Sequence, residues 1–155
     1  ITISLMHGFA SRQRYERNKK AMNIVSKEVI AEMLDTAEKS PRRRSHKNFH
    51  ATLEDSIHRL LIGAMPDTVF PVHRHRNKFE LFVLLHGEVE AILTDDEGNV
   101  TKRMHMTPDG EYSALENEPG MWHTYKILKP SVILEVKPGP YQPITPEDTL
   151  DVVVE

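Results

Sequence analysis

Between Ser26 and Pro41 the apolar side chains Val29, Ile30, Met33, Leu34 and Ala37 recur at helical spacing. Ser26 stands where an N-cap is needed, and Pro41 cannot continue the turn, so this stretch predicts one amphipathic helix of about 13 residues. Beyond Pro41 the pattern changes to short apolar runs. Ile57–Met65 is the first. Phe79–Leu85 is apolar at both odd and even positions, as expected for a strand buried on both faces. His86-Gly87-Glu88 interrupts that run and Val89–Thr94 resumes it, which reads as a hairpin. Asp95-Asp96-Glu97-Gly98-Asn99 then marks a turn before Val100–Met106. Tyr112–Leu115, Met121–Leu128 and Ser131–Lys137 add further strands, and Pro138–Pro143 must run extended. Many short strands after a single N-terminal helix predict a mainly β chain, a sandwich or a barrel.

At 155 residues the chain suits one domain with a core that needs no disulfides, and it contains no cysteine. Four stretches are expected: a loosely held extension over 1–21, a helix and basic segment over 22–50, the β domain over 51–145, and a tail over 146–155. No run of about 18 apolar residues is present, so no membrane span is expected. The order of apolar and basic residues at the start does not fit a secretory leader, which makes the cytoplasm the expected location. Charge is uneven: residues 1–50 carry 11 Lys/Arg against 5 Asp/Glu, and residues 51–155 carry 9 against 18. The basic half lacks interleaved aromatics and any nucleic-acid reader motif, so a small anionic ligand is the expected partner rather than a nucleic acid.

The chemistry concentrates in His73-Arg74-His75, followed by Glu80 and Gly87. In an extended chain residues i and i+2 share a face, so His73 and His75 can turn both imidazoles to one metal ion. Glu80 can add an oxygen ligand, and His123, after Pro119-Gly120-Met121-Trp122, can fold back beside the pair. Three imidazoles and a carboxylate suit one divalent transition metal, Zn, Fe, Ni or Mn, and no thiolate is available.

These residues resemble the cupin superfamily. His73-x-His75, Glu80 and Gly87 match its first motif, G-x5-H-x-H-x3-4-E-x6-G, except that Asp67 stands at the leading glycine. The second, G-x5-P-x-G-x2-H-x3-N, is matched by Gly120-x2-His123, with Glu118 at its proline and Ile127 at its asparagine. The resemblance implies a single double-stranded β-helix barrel of jelly-roll type. Its interior would hold a metal on His73, His75, Glu80 and His123. A dimer is the common arrangement of that superfamily. Residues 40–50, 118–124 and 134–141 look more narrowly like the WbuC family, cupin-fold metalloproteins often associated with cell-surface polysaccharide synthesis.

Arg42, Arg44, His46, Asn48 and His50 occupy alternate positions, so an extended chain projects all five to one side. Such a donor-rich face suits phosphate or carboxylate. Trp122 and Tyr125 flank His123 as candidates to stack on a ligand, and Tyr141 can close the mouth after Pro138-Gly139-Pro140. His50 or His86 can transfer a proton. Glu135 and Lys137 share parity with Ser131 and Ile133, as pocket or structural residues, while His58 and His105 are expected to be structural. The function expected from this set is a metal-dependent enzyme of isomerase or epimerase type. Its substrate would be a sugar phosphate or nucleotide-sugar. The alternatives are an Fe(II)-dependent dioxygenase and a non-catalytic small-ligand module.

Overall fold

A computed structural model describes residues 22–155; the extension expected over 1–21 lies outside the described residues. Helix α1 spans Lys27–Lys39, with the Ser26 side chain accepting a hydrogen bond from the Val29 amide. Eight strands follow: β1 (Arg44–Asn48), β2 (Ile57–Ala64), β3 (Val72–His73), β4 (Glu80–Thr94), β5 (Val100–Met106), β6 (Ala114–Asn117), β7 (His123–Pro138) and β8 (Thr149–Leu150). No helix among the described residues is long and apolar enough to cross a membrane.

All strand pairings are antiparallel, and two long strands organise them. β4 and β7 pair from Leu81↔Val136 to Leu93↔His123, and both bend midway. Their first pairing segment joins β2 and β1 on one side and β6 on the other, giving the layer β1-β2-β7-β4-β6. Past the bend the same two strands join β3 and β8 on one side and β5 on the other, giving β8-β3-β7-β4-β5. The two layers face each other across Ile62, Phe82, Leu84, Val89, Met106, Tyr125 and Ile133, which is the architecture of a double-stranded β-helix. The expected fold is therefore present. Its hydrogen bonding does not close into a ring among the described residues, because β1, β8, β5 and β6 remain edges.

The bend corrects the expected hairpin at His86-Gly87-Glu88. The chain does not reverse there: β4 keeps the same partner on both sides, and register shifts between Leu84 and Val89 absorb the turn. Gly87 takes φ +97°, and Ser131 on β7 accepts the Glu88 amide hydrogen bond at 3.1 Å through its hydroxyl. Met121–Leu128 and Ser131–Lys137, expected as separate strands, are likewise two halves of β7. The basic segment contributes edge strand β1, and residues 149–150 of the tail form β8 on β3.

The double apolar parity of Phe79–Leu85 has a direct cause. Phe82 and Leu84 enter the core between layers, while Leu85 joins Met33, Leu61 and Val132 under α1 on the outer face. Gly63 permits that contact, since a Cβ there would stand 2.6 Å from the Met33 carbonyl oxygen.

A Gly87→Ala substitution tests the bend. Its Cβ would lie 2.5 Å from the Pro130 carbonyl oxygen and 2.7 Å from Ser131 Cα, in a backbone region that L side chains rarely adopt. Loss of about 1–3 kcal/mol of stability is expected in denaturant unfolding, and an unchanged midpoint would show that the bend does not need glycine.

Candidate metal centre and cavity

His73 on β3 stands directly opposite His123 on β7, and their ring centroids are 4.4 Å apart. His75 follows in the loop after β3, where its carbonyl accepts the Gly120 amide at 2.8 Å. Glu80 begins β4, from the other layer, opposite Asn117 of β6. One ligand atom from each of His73, His75, Glu80 and His123 lies within 4.8 Å of all the others. The four expected metal residues are thus brought together.

The aim of these groups is set by their other contacts. The Nδ1 atoms of His73 and His123 each lie 2.9 Å from the carbonyl two residues earlier, Pro71 and Met121. An Nδ1–H donated to a carbonyl leaves the Nε2 lone pair free toward the centre. The Glu80 carboxylate lies 3.0 Å from His75 Nε2 and accepts from the Tyr125 hydroxyl at 3.3 Å; that hydroxyl accepts from Asn117 Nδ2 at 2.7 Å.

Burial, then the nearby His123, pushes His73 down to about 4, so it stays neutral and able to ligate at neutral pH. Burial pushes Glu80 up, but the neighbouring His123 and the hydrogen-bonded His75 outweigh it and hold the carboxyl well below its usual range. Burial pushes His123 down, yet the Glu80 carboxylate outweighs this and raises it. His123 Nε2 is nevertheless 3.5 Å from Glu80 Oε1 and has no hydrogen-bond partner, although the residue is only 2 % exposed. An orphaned, buried ring nitrogen beside two imidazoles and an ionised carboxylate fits a divalent transition metal.

The centre adjoins a cavity. Arg44, His46, Asn48 and His50 line one wall at alternate positions, as β1 geometry requires, and Tyr141 stands exposed at the rim. Arg42, expected on the same face, precedes β1 and is exposed away from the cavity. The strand that would align it begins two residues later. His86 does not serve the site either: it is exposed at the β4 bend, because the predicted hairpin is absent. Trp122 is buried outside the cavity, with Nε1 donating to Asp96 at 2.9 Å and the Arg74 guanidinium 4.4 Å above its ring. Tyr125 faces the cavity, but its ring stacks on Phe82 and its hydroxyl is held by Asn117 and Glu80.

Three lining groups are only weakly signalled in the sequence. His58 donates Nε2–H to the Leu53 carbonyl and stacks on His50 with centroids 4.1 Å apart. Glu135 and Lys137 form a largely buried pair at 2.6 Å. Burial, then Glu80, raises Glu135; burial lowers Lys137, but Glu135 outweighs it and keeps the ammonium charged. Their alternation with Ile133 along β7 is the one signal the sequence carries for them.

Two outcomes test the centre. Tyr125→Phe removes the hydroxyl that steadies Glu80 and should weaken metal binding about tenfold to a hundredfold in a competition titration. His123 must give up the proton that Glu80 favours, so metal affinity should fall as pH drops through the raised His123 value. Uptake should release protons, measurable by calorimetry in buffers of different ionisation heat; uptake without release would contradict the assignment.

Comparison with solved structures agrees with this architecture. The chain is similar to a Klebsiella pneumoniae protein with a double-stranded β-helix domain (16% identity, 77% of this chain and 91% of that one, TM-score 0.53). It is also similar to KdgF from a Halomonas species (15%, 67% and 85%, TM-score 0.52) and to a cupin 2 domain-containing protein from Halorhodospira halophila (11%, 66% and 68%, TM-score 0.50). At these identities the likeness shows the fold alone, which is that of the cupins. No curated protein matches the sequence. The family described as a domain of unknown function (DUF6016) matches residues 25–106, more than half of the chain. The match takes in α1, β1 to β5 and three of the four clustered residues, and the chain belongs to that family, on a cupin double-stranded β-helix.

Proposed function

We propose that the chain is a metal-binding cupin whose centre faces a cavity for a small polar metabolite. One observation carries the reading: the buried, unpartnered Nε2 of His123, gathered with ligand atoms of His73, His75 and Glu80 that all lie within 4.8 Å of one another. A divalent metal bound there supplies Lewis acidity toward a carbonyl or hydroxyl of the ligand. The protein's own groups do the rest. The Pro71 and Met121 carbonyls orient two imidazoles, Tyr125 steadies Glu80, and Phe70, Phe82 and Ile133 make part of the cavity wall apolar. Of the two imidazoles expected to transfer a proton, His50 faces the cavity.

The finer reading is a sugar phosphate or nucleotide-sugar ligand in cell-surface polysaccharide synthesis, handled by an isomerase or epimerase type of chemistry. Its support is the likeness of residues 40–50, 118–124 and 134–141 to the WbuC family. Those segments supply the β1 donors, His123, and the Glu135, Lys137 and Tyr141 side chains around one site.

Protein purified without chelators should carry one equivalent of a divalent transition metal by elemental analysis. His75→Ala or Glu80→Ala should lose it while remaining folded. Full metal content in either variant would overturn the assignment.

A further inference from the structure

Among the described residues, three buried side-chain nitrogens lack a hydrogen-bond partner: Arg44 Nε, His50 Nε2 and His123 Nε2. His123 is accounted for by the metal centre. The other two lie on the β1 side of the same cavity, and nothing in the metal centre uses them.

Among the described arginines that make no ion pair, Arg42 and Arg59 are exposed, whereas Arg44 is half-buried with its Nε enclosed. Arg43 meets Asp67, Arg74 and Arg76 share Asp148, and Arg103 meets Glu90. Arg44 has no carboxylate within ion-pair distance among the described residues. Its guanidinium carbon lies 4.6 Å from the centroid of the Phe70 ring, which covers one face and leaves the in-plane N–H groups to find acceptors. The carboxylates lining the cavity are otherwise engaged: Glu135 pairs with Lys137 at 2.6 Å, and Glu80 belongs to the histidine cluster. Arg44 is therefore the lining cation without a counter-ion.

His50 is 6 % exposed, and its tautomer follows from the contacts of Nδ1. His50 Nδ1 lies 3.1 Å from both the amide nitrogen and the carbonyl oxygen of Arg59; the carbonyl already accepts the Phe49 amide at 2.8 Å, whereas the Arg59 amide needs an acceptor, and Nδ1 supplies it. With Nδ1 accepting, the ring proton sits on Nε2. His50 Nε2–H is thus a buried donor without an acceptor. Leaving such donors unpaired is unfavourable, and an oxygen-rich ligand relieves it.

The geometry points to a small molecule bearing an oxyanion, carboxylate or phosphate, held by the Arg44 guanidinium, with a further oxygen of the same molecule accepting from His50 Nε2–H. This rests on the reading of the cavity as the ligand site of a metal-binding cupin and names what the ligand carries. The side-on fork of Arg44 matches two oxygens of such a group, and His46 and Asn48 extend the donor row between the two residues.

Calorimetric titration of metal-loaded and metal-free protein with inorganic phosphate, malonate and glycerol tests the inference. Phosphate or malonate should bind and glycerol should not; the tighter of the two assigns phosphate or carboxylate as the preferred group. Arg44→Gln should weaken that anion at least tenfold with metal content unchanged, and Arg44→Lys should recover part of the loss. The nitrogen resonance of His50 Nε2 in wild-type protein should move as the anion binds. Equal binding of glycerol, no binding of either anion, unchanged affinity in Arg44→Gln, or an unmoved His50 signal would each overturn the proposal. Metal content read on the same samples keeps the two readings apart. Anion bound by protein that takes up no metal sinks the metal centre and keeps the Arg44 site. Metal bound without an anion sinks the Arg44 site alone.

Discussion

The bend shared by β4 and β7 is the constraint on which the site depends. Glu80 begins one end of that ladder, just beyond Leu81↔Val136, and His123 occupies the other end, at the Leu93 rung. On a flat sheet these positions would stand roughly 40 Å apart. Here Glu80 Oε1 and His123 Nε2 are 3.5 Å apart, because the ladder doubles over and brings its two ends to the same mouth. The hinge that allows it is small: Gly87 at positive φ, register shifts on either side, and the Ser131 hydroxyl accepting the Glu88 amide. Packing keeps it closed. Phe82 and Leu84 from one arm of the fold meet Val89, Tyr125 and Ile127 from the other.

The folded ladder also sets the electrostatics. Glu80 and Glu135 are both buried, 2 % and 7 % exposed, and burial opposes the charge of each. They differ in their neighbours. Glu80 sits among imidazoles and stays ionised, whereas Glu135 feels Glu80 as a like charge and depends on Lys137. Both carboxylates are thereby committed, which leaves Arg44 across the cavity unneutralised. A centre that attracts a metal and a wall that attracts an anion follow from one distribution of charge.

The C-terminal segment contributes to the same construction. Asp148 accepts from Arg74 at 2.9 Å and from Arg76 at 2.6 Å, its carbonyl accepts the Arg74 amide, and β8 pairs with β3. These contacts tie down the backbone on both sides of His75. Trp122, set under Arg74 and bonded to Asp96, braces the approach to His123 from the other side. Its place beside a ligand residue in sequence therefore reflects support of the loops and not contact with the cavity.

Local chemistry makes part of this protein legible in its residues. Helix α1 is readable because capping and helical spacing act over a few positions, and the alternation of Arg44, His46, Asn48 and His50 holds because β1 is a strand. The pairing of His73 and His75 is readable for the same reason, since side-chain direction along an extended chain has a fixed period of two, whereas Glu80 joins them from β4 across a loop. Long-range pairing decides what remains. His86-Gly87 looks identical to a chain reversal until its partner strand is known, and β8 has too few apolar residues to announce itself. Glu135 and Lys137 become cavity residues only where β7 takes its place between β2 and β4. Residue type and spacing mark which side chains can ligate and which side of each short strand they share. Tertiary structure alone decided which of those sides meet, because that depends on where two distant strands bend together.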